Sequence, residues 1–368
     1  MIERLSEYTT RITTFSTEKQ NLEKKQKNLP LLRLGLFLLF AFLVYRYLTI
    51  QSIWSGMHAI SAFLAFVILS LLDSRLKKSI KRVQILIHIN EKEVKALTGN
   101  YTSFDPGNEF IDQSHDYTHD LDIFGEGSLF QFINRTSTIF GKLRLAEYFS
   151  NSFGQSDKVI ERQNAVKELS EMVELRQKLQ LIFHNEKISE SDKTEMSDWL
   201  QSESPVKNLK LVRIIAYGLP AITLTCLALS IAGIIAFPSF LIVLQLMIVF
   251  LYARQTMATQ NIITSKTKIL NKFAQSLLLI ENTNFESGYL TDIQKRLVTE
   301  KGKIPSKAIH QLSVILNYMD SNLNILVSII LNGLFMFNLH LLLKVEKWKK
   351  LNQENVPNWF ESIATFDA

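Results

Sequence analysis

Between residues 214 and 253 the chain runs for 40 residues without a charged side chain. A bilayer's hydrocarbon core is about 30 Å thick, and a helix rising about 1.5 Å per residue crosses it in roughly 20 residues. The 40 uncharged residues therefore predict two passes. Gly233 and Pro238 weaken the helix between them, so the turn is expected over residues 233–238. A second such pair lies near the start. Residues 29–48 read as one pass, with Arg33 and Arg46 able to snorkel from its ends, and residues 54–72 as another, with Trp54 at the interface. The first of these is no signal peptide, because 28 mostly polar residues precede it and no small-residue cleavage site follows.

Lysine and arginine set the expected topology. Arg4, Arg11, Lys19, Lys24, Lys25 and Lys27 precede the first pass, and Arg75, Lys77, Lys78, Lys81 and Arg82 follow the second. Lys207, Lys210 and Arg213 precede the third, and Arg254, Lys266, Lys268 and Lys272 follow the fourth. The two intervening loops carry no charge, so both hairpins enter from the cytoplasm and return to it. A further uncharged stretch, residues 321–343, holds Asn322, Asn324, Asn332, Asn338 and His340, which are costly in lipid. Lys344, Lys347, Lys349 and Lys350 follow it and would be carried outside. A long helix buried among other cytoplasmic helices is expected there instead.

Outside these segments the chain reads as helical, and no convincing strand appears. The expected fold is all-α, two transmembrane hairpins plus a cytoplasmic helical domain. Residues 1–28 form a polar segment, 29–72 the first hairpin, 73–212 a helical region, 213–253 the second hairpin and 254–368 a further helical region. Residues 75–97 continue the second pass as an amphipathic helix that Thr98, Gly99 and Asn100 stop. An acidic stretch follows, in which His115 and His119 lie four apart. On a helix they could share a metal with Asp112 or Asp116, but the surrounding Pro, Gly and Asn favour a solvated loop. Ser128 is a plausible N-cap for a short helix with Leu129, Phe132 and Ile133 on one side. A helix over about 137–149 contains Gly141, which implies a close helix contact. Helices are also expected over 256–279, up to 298, and from Ser306.

The single cysteine, Cys226, excludes a disulfide framework and a cysteine metal cluster. With 41 Lys and Arg against 35 Asp and Glu, the net charge of +6 does not by itself indicate nucleic acid. Neither a phosphate loop nor a dinucleotide fingerprint occurs, and no nucleophile–base arrangement rises above chance, so these residues predict no active site, catalytic group, bound cofactor or metal of their own.

The stretch from Asp120 through Asp122 to Gly141 resembles the core of MutS-type mismatch repair proteins. Ser128, Leu129, Phe132, Ile133, Asn134, Thr136, Thr138 and Gly141 follow the order of that family's motif, with Arg135 inside it. The likeness continues through Arg144, and Arg162, Ala165 and Val166 match a later Arg-x-x-Ala-Val signature. Residues 331–339 with Trp348 are similar to the family's returning lever helices, and residues 359–368 to the helix before its ATPase domain. The resemblance implies a membrane-anchored relative of DNA mismatch repair proteins, located in the inner or cell membrane. In the full-length protein it implies binding of mismatched DNA and of ATP with magnesium, and a homodimer formed through the ATPase domain. That domain is expected beyond residue 368. The second hairpin stands near where the family carries its DNA clamp. By their charge, Asp120 and Asp122 are expected to position Arg135 or Arg144 through charge-assisted bonds. The other reading of the chain is a membrane scaffold that uses the same core for protein contacts without DNA.

Overall fold

The computed structural model describes residues 2–151, 156–184, 189–206, 208–253, 257, 267–297, 304–321 and 325–368. The protein is all-α, and no strand occurs among the described residues. It divides between Asn134 and Arg135 into two compact units, a boundary inside the 73–212 region expected to be one piece. Residues 73–97 fall in the first unit because they continue a hairpin helix.

The first unit is built on a long antiparallel hairpin. Helix α1 (Ile2–Gln26) leads through Lys27 and Asn28 into α2 (Leu29–Ile50), and both pack along α3 (Ile53–Leu97). Gln51, left-handed at φ 52°, makes the turn. One seam runs the whole length. In α1 and α2 it comprises Leu5, Tyr8, Ile12, Phe15, Lys19, Leu22, Gln26, Leu29, Arg33, Leu36, Phe40 and Leu43, each at least partly shielded. In α3 it comprises Ala59, Ala62, Phe66, Leu69, Asp73, Leu76, Ile80, Val83, Ile87, Asn90, Val94 and Leu97. Both series alternate spacings of three and four, the heptad repeat that keeps two helices in left-handed contact. The seam changes character without changing phase. Phenylalanine pairs Phe37–Phe66 and Phe40–Phe63 meet as tilted rings, 6.0 and 5.4 Å apart, in the apolar half. Asp73 marks the boundary: it is buried, pairs with Arg33 at 2.7 Å and Lys77 at 2.9 Å, and accepts from Gln26 at 3.1 Å. Arg33 therefore does not simply reach for water; it closes an ion pair across the hairpin.

Thr98 and Gly99, the latter at φ 93°, end α3 as expected. Residues 100–128 are turns apart from a 3-10 turn at Asn108–Phe110. Phe110, Phe124 and Phe130 pack ring against ring at 5.2 to 5.7 Å and hold the short α4 (Leu129–Ile133). Gly107, at φ 70°, lies against the Phe130 ring, where a Cβ would overlap it.

In the second unit, α5 (Ile139–Ser150), α6 (Ser156–Glu171), α7 (Val173–Phe183) and α8 (Glu190–Gln201) precede the apolar pair α9 (Leu209–Ile231) and α10 (Ser239–Leu251). Then come α11 (Thr267–Glu281), α12 (Gly288–Leu297), α13 (Pro305–Ser321), α14 (Ile325–Phe335), α15 (Phe337–Asn352) and α16 (Val356–Asp367). Of the helix expected over 256–279, residue 256 and residues 258–266 lie outside the described ones, as do Val298, Asn322 and Asn324. The main core gathers Phe140, Leu179, Phe273, Leu277, Leu312 and Trp359 from α5, α7, α11, α13 and α16.

Among the described residues, three helical stretches are long and apolar enough to cross a membrane: α1–α2 taken as one rod, α3 and α9. Their apolar windows are 0%, 11% and 17% buried, so these surfaces face outward rather than into a protein core. The break between α9 and α10 falls at residues 232–238, as expected. Helix α10, however, is 13 residues long. At about 1.5 Å per residue it spans about 20 Å, short of a bilayer core, because the break uses up residues that a fourth pass needs. The single buried helix expected over residues 321–343 is also absent. The chain bends by 75° between α14 and α15 at Met336, which is left-handed at φ 48°.

Pro220 sits inside α9 and cannot donate to the carbonyl of Ala216. The ring of His340, from α15, hydrogen-bonds that carbonyl and meets Tyr217 edge-on at 4.5 Å. A neighbouring helix thus satisfies the group the proline frees, the usual condition for proline in an apolar helix. Across the α9–α10 pair, buried Gln245 donates from Nε2 to Thr223 Oγ1.

Candidate functional site

The residues singled out by the motif fall in two places. In the first unit, Ser128 caps α4, its Oγ accepting from Gln131 N at 3.1 Å. Asn134 is buried and donates from Nδ2 to Asp105 O at 3.2 Å, tying the end of α4 to the preceding loop. Asp120 and Asp122 are exposed, the latter in a left-handed turn at φ 47°. Leu129 is 45% exposed, with Phe132 and Ile133 similar, whereas Phe130 and Gln131 are fully buried. The side that carries Leu129, Phe132 and Ile133 is thus the outer one. Five residues are too few for helical period to set burial, and the phenylalanine cluster sets it instead. His115 is part of a turn, its Nδ1 accepting from Tyr117 N and Thr118 N at 3.4 Å. Among the described residues no three His, Cys, Asp or Glu are placed to hold a metal.

In the second unit the motif forms a joint. Thr138 caps α5, its Oγ1 accepting from Gly141 N at 2.9 Å. Asp367, at the end of α16, reaches the same turn. Its carboxylate accepts from Ser137 N at 2.9 and 3.0 Å, from Thr138 N at 2.8 Å and from Thr138 Oγ1 at 2.8 Å. A carboxylate there meets the positive end of the α5 dipole. Gly141 is the matching feature, because a Cβ at that position would overlap the Asp367 carboxylate. Asp367 as a residue is half-buried, but its carboxylate is turned inward onto this turn. Burial of the carboxylate outweighs its hydrogen bonds from Ser137 and Thr138 and pushes its pKa up to about 6.

One helical turn on, Arg144 pairs with Glu147 at 2.7 Å and with Glu361 of α16. These carboxylates take the place expected for Asp120 or Asp122. Arg144 and Glu361 border a cleft of about 400 Å³ that is floored by Phe140, Leu200 and Phe360. Arg162 lies over the Tyr148 ring, 3.1 Å from its centroid, and burial holds its pKa below the usual guanidinium value. Tyr148 is pushed up to about 12 by burial and by its hydrogen bond with Tyr289 of α12. Arg135 offers its carbonyl to Gln180 Nε2 at 3.4 Å, and Thr136 stands half-buried at the entrance to the turn.

The same device recurs. Glu168 of α6 accepts from Glu286 N and Ser287 N at 2.7 and 2.8 Å, at the start of α12. Burial opposes its charge, but those hydrogen bonds keep its pKa below the ordinary carboxylate range. Glu281 of α11 accepts from Ser306 N and Ser306 Oγ at the start of α13. Three helix starts are therefore capped by a carboxylate from another helix. Neither Asp367, Glu281 nor Glu168 was legible in advance, although each helix start lacks an acidic residue in its own first turn. The arrangement fastens helices to one another; it does not pair a nucleophile with a base. Comparison with known protein families, with curated proteins and with solved structures finds no match to this chain.

Proposed function

We propose that this chain is the membrane anchor and helical relay of a MutS-like protein. By resemblance the full-length protein is related to DNA mismatch repair and binds DNA and ATP, with the ATP and magnesium sites outside residues 1–368. In this reading the first hairpin and α9 lie in the inner or cell membrane, α10 together with its flanking uncharged residues returns the chain to the side it came from, and the helical core is cytoplasmic, in keeping with the lysine and arginine distribution. The observation that supports it is the grip of Asp367 on Ser137 and Thr138. It couples the helix that would lead onward to the motif that opens the core, so a shift in one moves the other. A homodimer through the ATPase domain belongs to the same proposal.

The scaffold reading has its own support in exposed Leu129, Phe132 and Ile133, an apolar face suited to a protein partner. Full-length chain in lipid nanodiscs, titrated with mismatched and matched duplex over a salt series, separates the two. The relay reading expects binding that weakens linearly on a log–log plot as salt rises. No binding at any salt removes DNA from the function and leaves the scaffold. Alkaline carbonate washing of membranes tests the anchor: the chain should stay with the pellet and leave only with detergent.

A further inference from the structure

Helix α14 has no place in water. Residues 321–343 contain no charge, and Val327, Ile329, Ile330 and Phe335 are exposed. The helix packs on α10 and α9. Gly333 makes the approach close, since a Cβ there would stand 3.1 Å from Ile242 Cγ2. Its outer face thus continues the exposed apolar surface of α10, formed by Phe240, Val243 and Met247.

Two objections to placing it in lipid are answered by the geometry. Asn332 does not face outward. It is buried, donates to Ser328 O at 2.9 Å and Ser328 Oγ at 3.1 Å, and accepts from Asn338 N at 2.9 Å. Main-chain donors at the break are also engaged, Met336 N with Asn332 O and Leu339 N with Met336 O, which a bend at membrane depth demands. The lysines need not cross either. The 75° bend turns α15 away, and α15 and α13 share one core, with Trp348 Nε1 donating to Ala308 O.

We infer that α14 is a re-entrant half-helix whose outer face is covered by lipid acyl chains beside α9 and α10. At 11 residues it is about 16 Å long, about half a bilayer core, so it enters and leaves on one side. The inference rests on the membrane reading above and is tested apart from it. In a Cys226→Ser background, single substitutions Ile330→Cys, Leu224→Cys on α9 and Leu351→Cys on α15 each receive a nitroxide label. The full chain is reconstituted in phosphatidylcholine–phosphatidylglycerol vesicles, and collisions with oxygen and with a water-soluble nickel chelate are measured. A label at 330 should match the one at 224, open to oxygen and several-fold less open to nickel than the one at 351. A label at 330 that matches 351, with 224 still protected, overturns the inference and leaves the membrane reading intact. Protection at 330 from both reagents means a protein covers α14 and also overturns it. Nickel access at 224 sinks the membrane reading and the inference together.

Discussion

Asp367 and Gly141 are one feature made of two residues. Asp367→Ala strips the acceptor from two main-chain donors and should cost about 1–3 kcal/mol of stability. Gly141→Ala alone should also destabilise, because its Cβ displaces the carboxylate. In the Asp367→Ala background the carboxylate is gone, but the Cβ of residue 367 still lies 2.7 Å from the added Cβ, so the clash is eased; Asp367→Gly removes it and leaves helix propensity, which favours alanine by up to about 1 kcal/mol. Gly141→Ala should therefore cost less beside Asp367→Ala than alone, and turn stabilising beside Asp367→Gly, a coupling that chemical denaturation in double-mutant cycles measures. The pH dependence follows from the raised pKa. Folded Asp367 holds its proton more tightly than the unfolded chain, whose aspartates titrate near about 3.9. The stability it adds is complete below that value and is lost as pH rises through about 6. Asp367→Asn should flatten the denaturation midpoint across that window, while the parent midpoint falls.

At the scale of the element, Met336 sets two effects against each other. Its left-handed backbone costs about 1–2 kcal/mol, which glycine would relieve. Its side chain is fully buried with Val212, Ala216 and Leu342, and deleting a buried methionine costs about 2–5 kcal/mol. Packing wins, so Met336→Gly should lower the melting temperature, and scanning calorimetry of the detergent-solubilised chain reads the sign. The same element shows what the sequence could and could not tell. The apolar segments were legible because exclusion of charge over 40 residues is a local property. Caps such as Ser128 and the stop at Gly99 were legible for the same reason. The bend at Met336 was not, since nothing in the residues themselves forces φ positive there. Nor was the partnership of Thr138 with Asp367, 229 residues away. In α1 the seam was disguised by Lys19 and Gln26, which occupy seam positions in a segment that reads as merely polar.

For the whole molecule, the shared phase of the first hairpin makes a prediction about length. Removing residues 19–25 from α1 together with 78–84 from α3 deletes one heptad from each and keeps every seam residue opposite its kind. The shortened protein should fold with helicity reduced in proportion to length. Removing either segment alone leaves the two strands of the seam out of step, and circular dichroism melting should show a lower, broader transition. The shared phase also has a mechanical consequence. A rod of 49 residues lies against one of 45, and its contact line keeps step through the interruption at Lys27 and Asn28. If the apolar half lies in a bilayer, a rotation imposed there on Phe40 and Phe66 would be passed along the shared seam toward Leu5 and Leu97, the hairpin acting as a torsion bar.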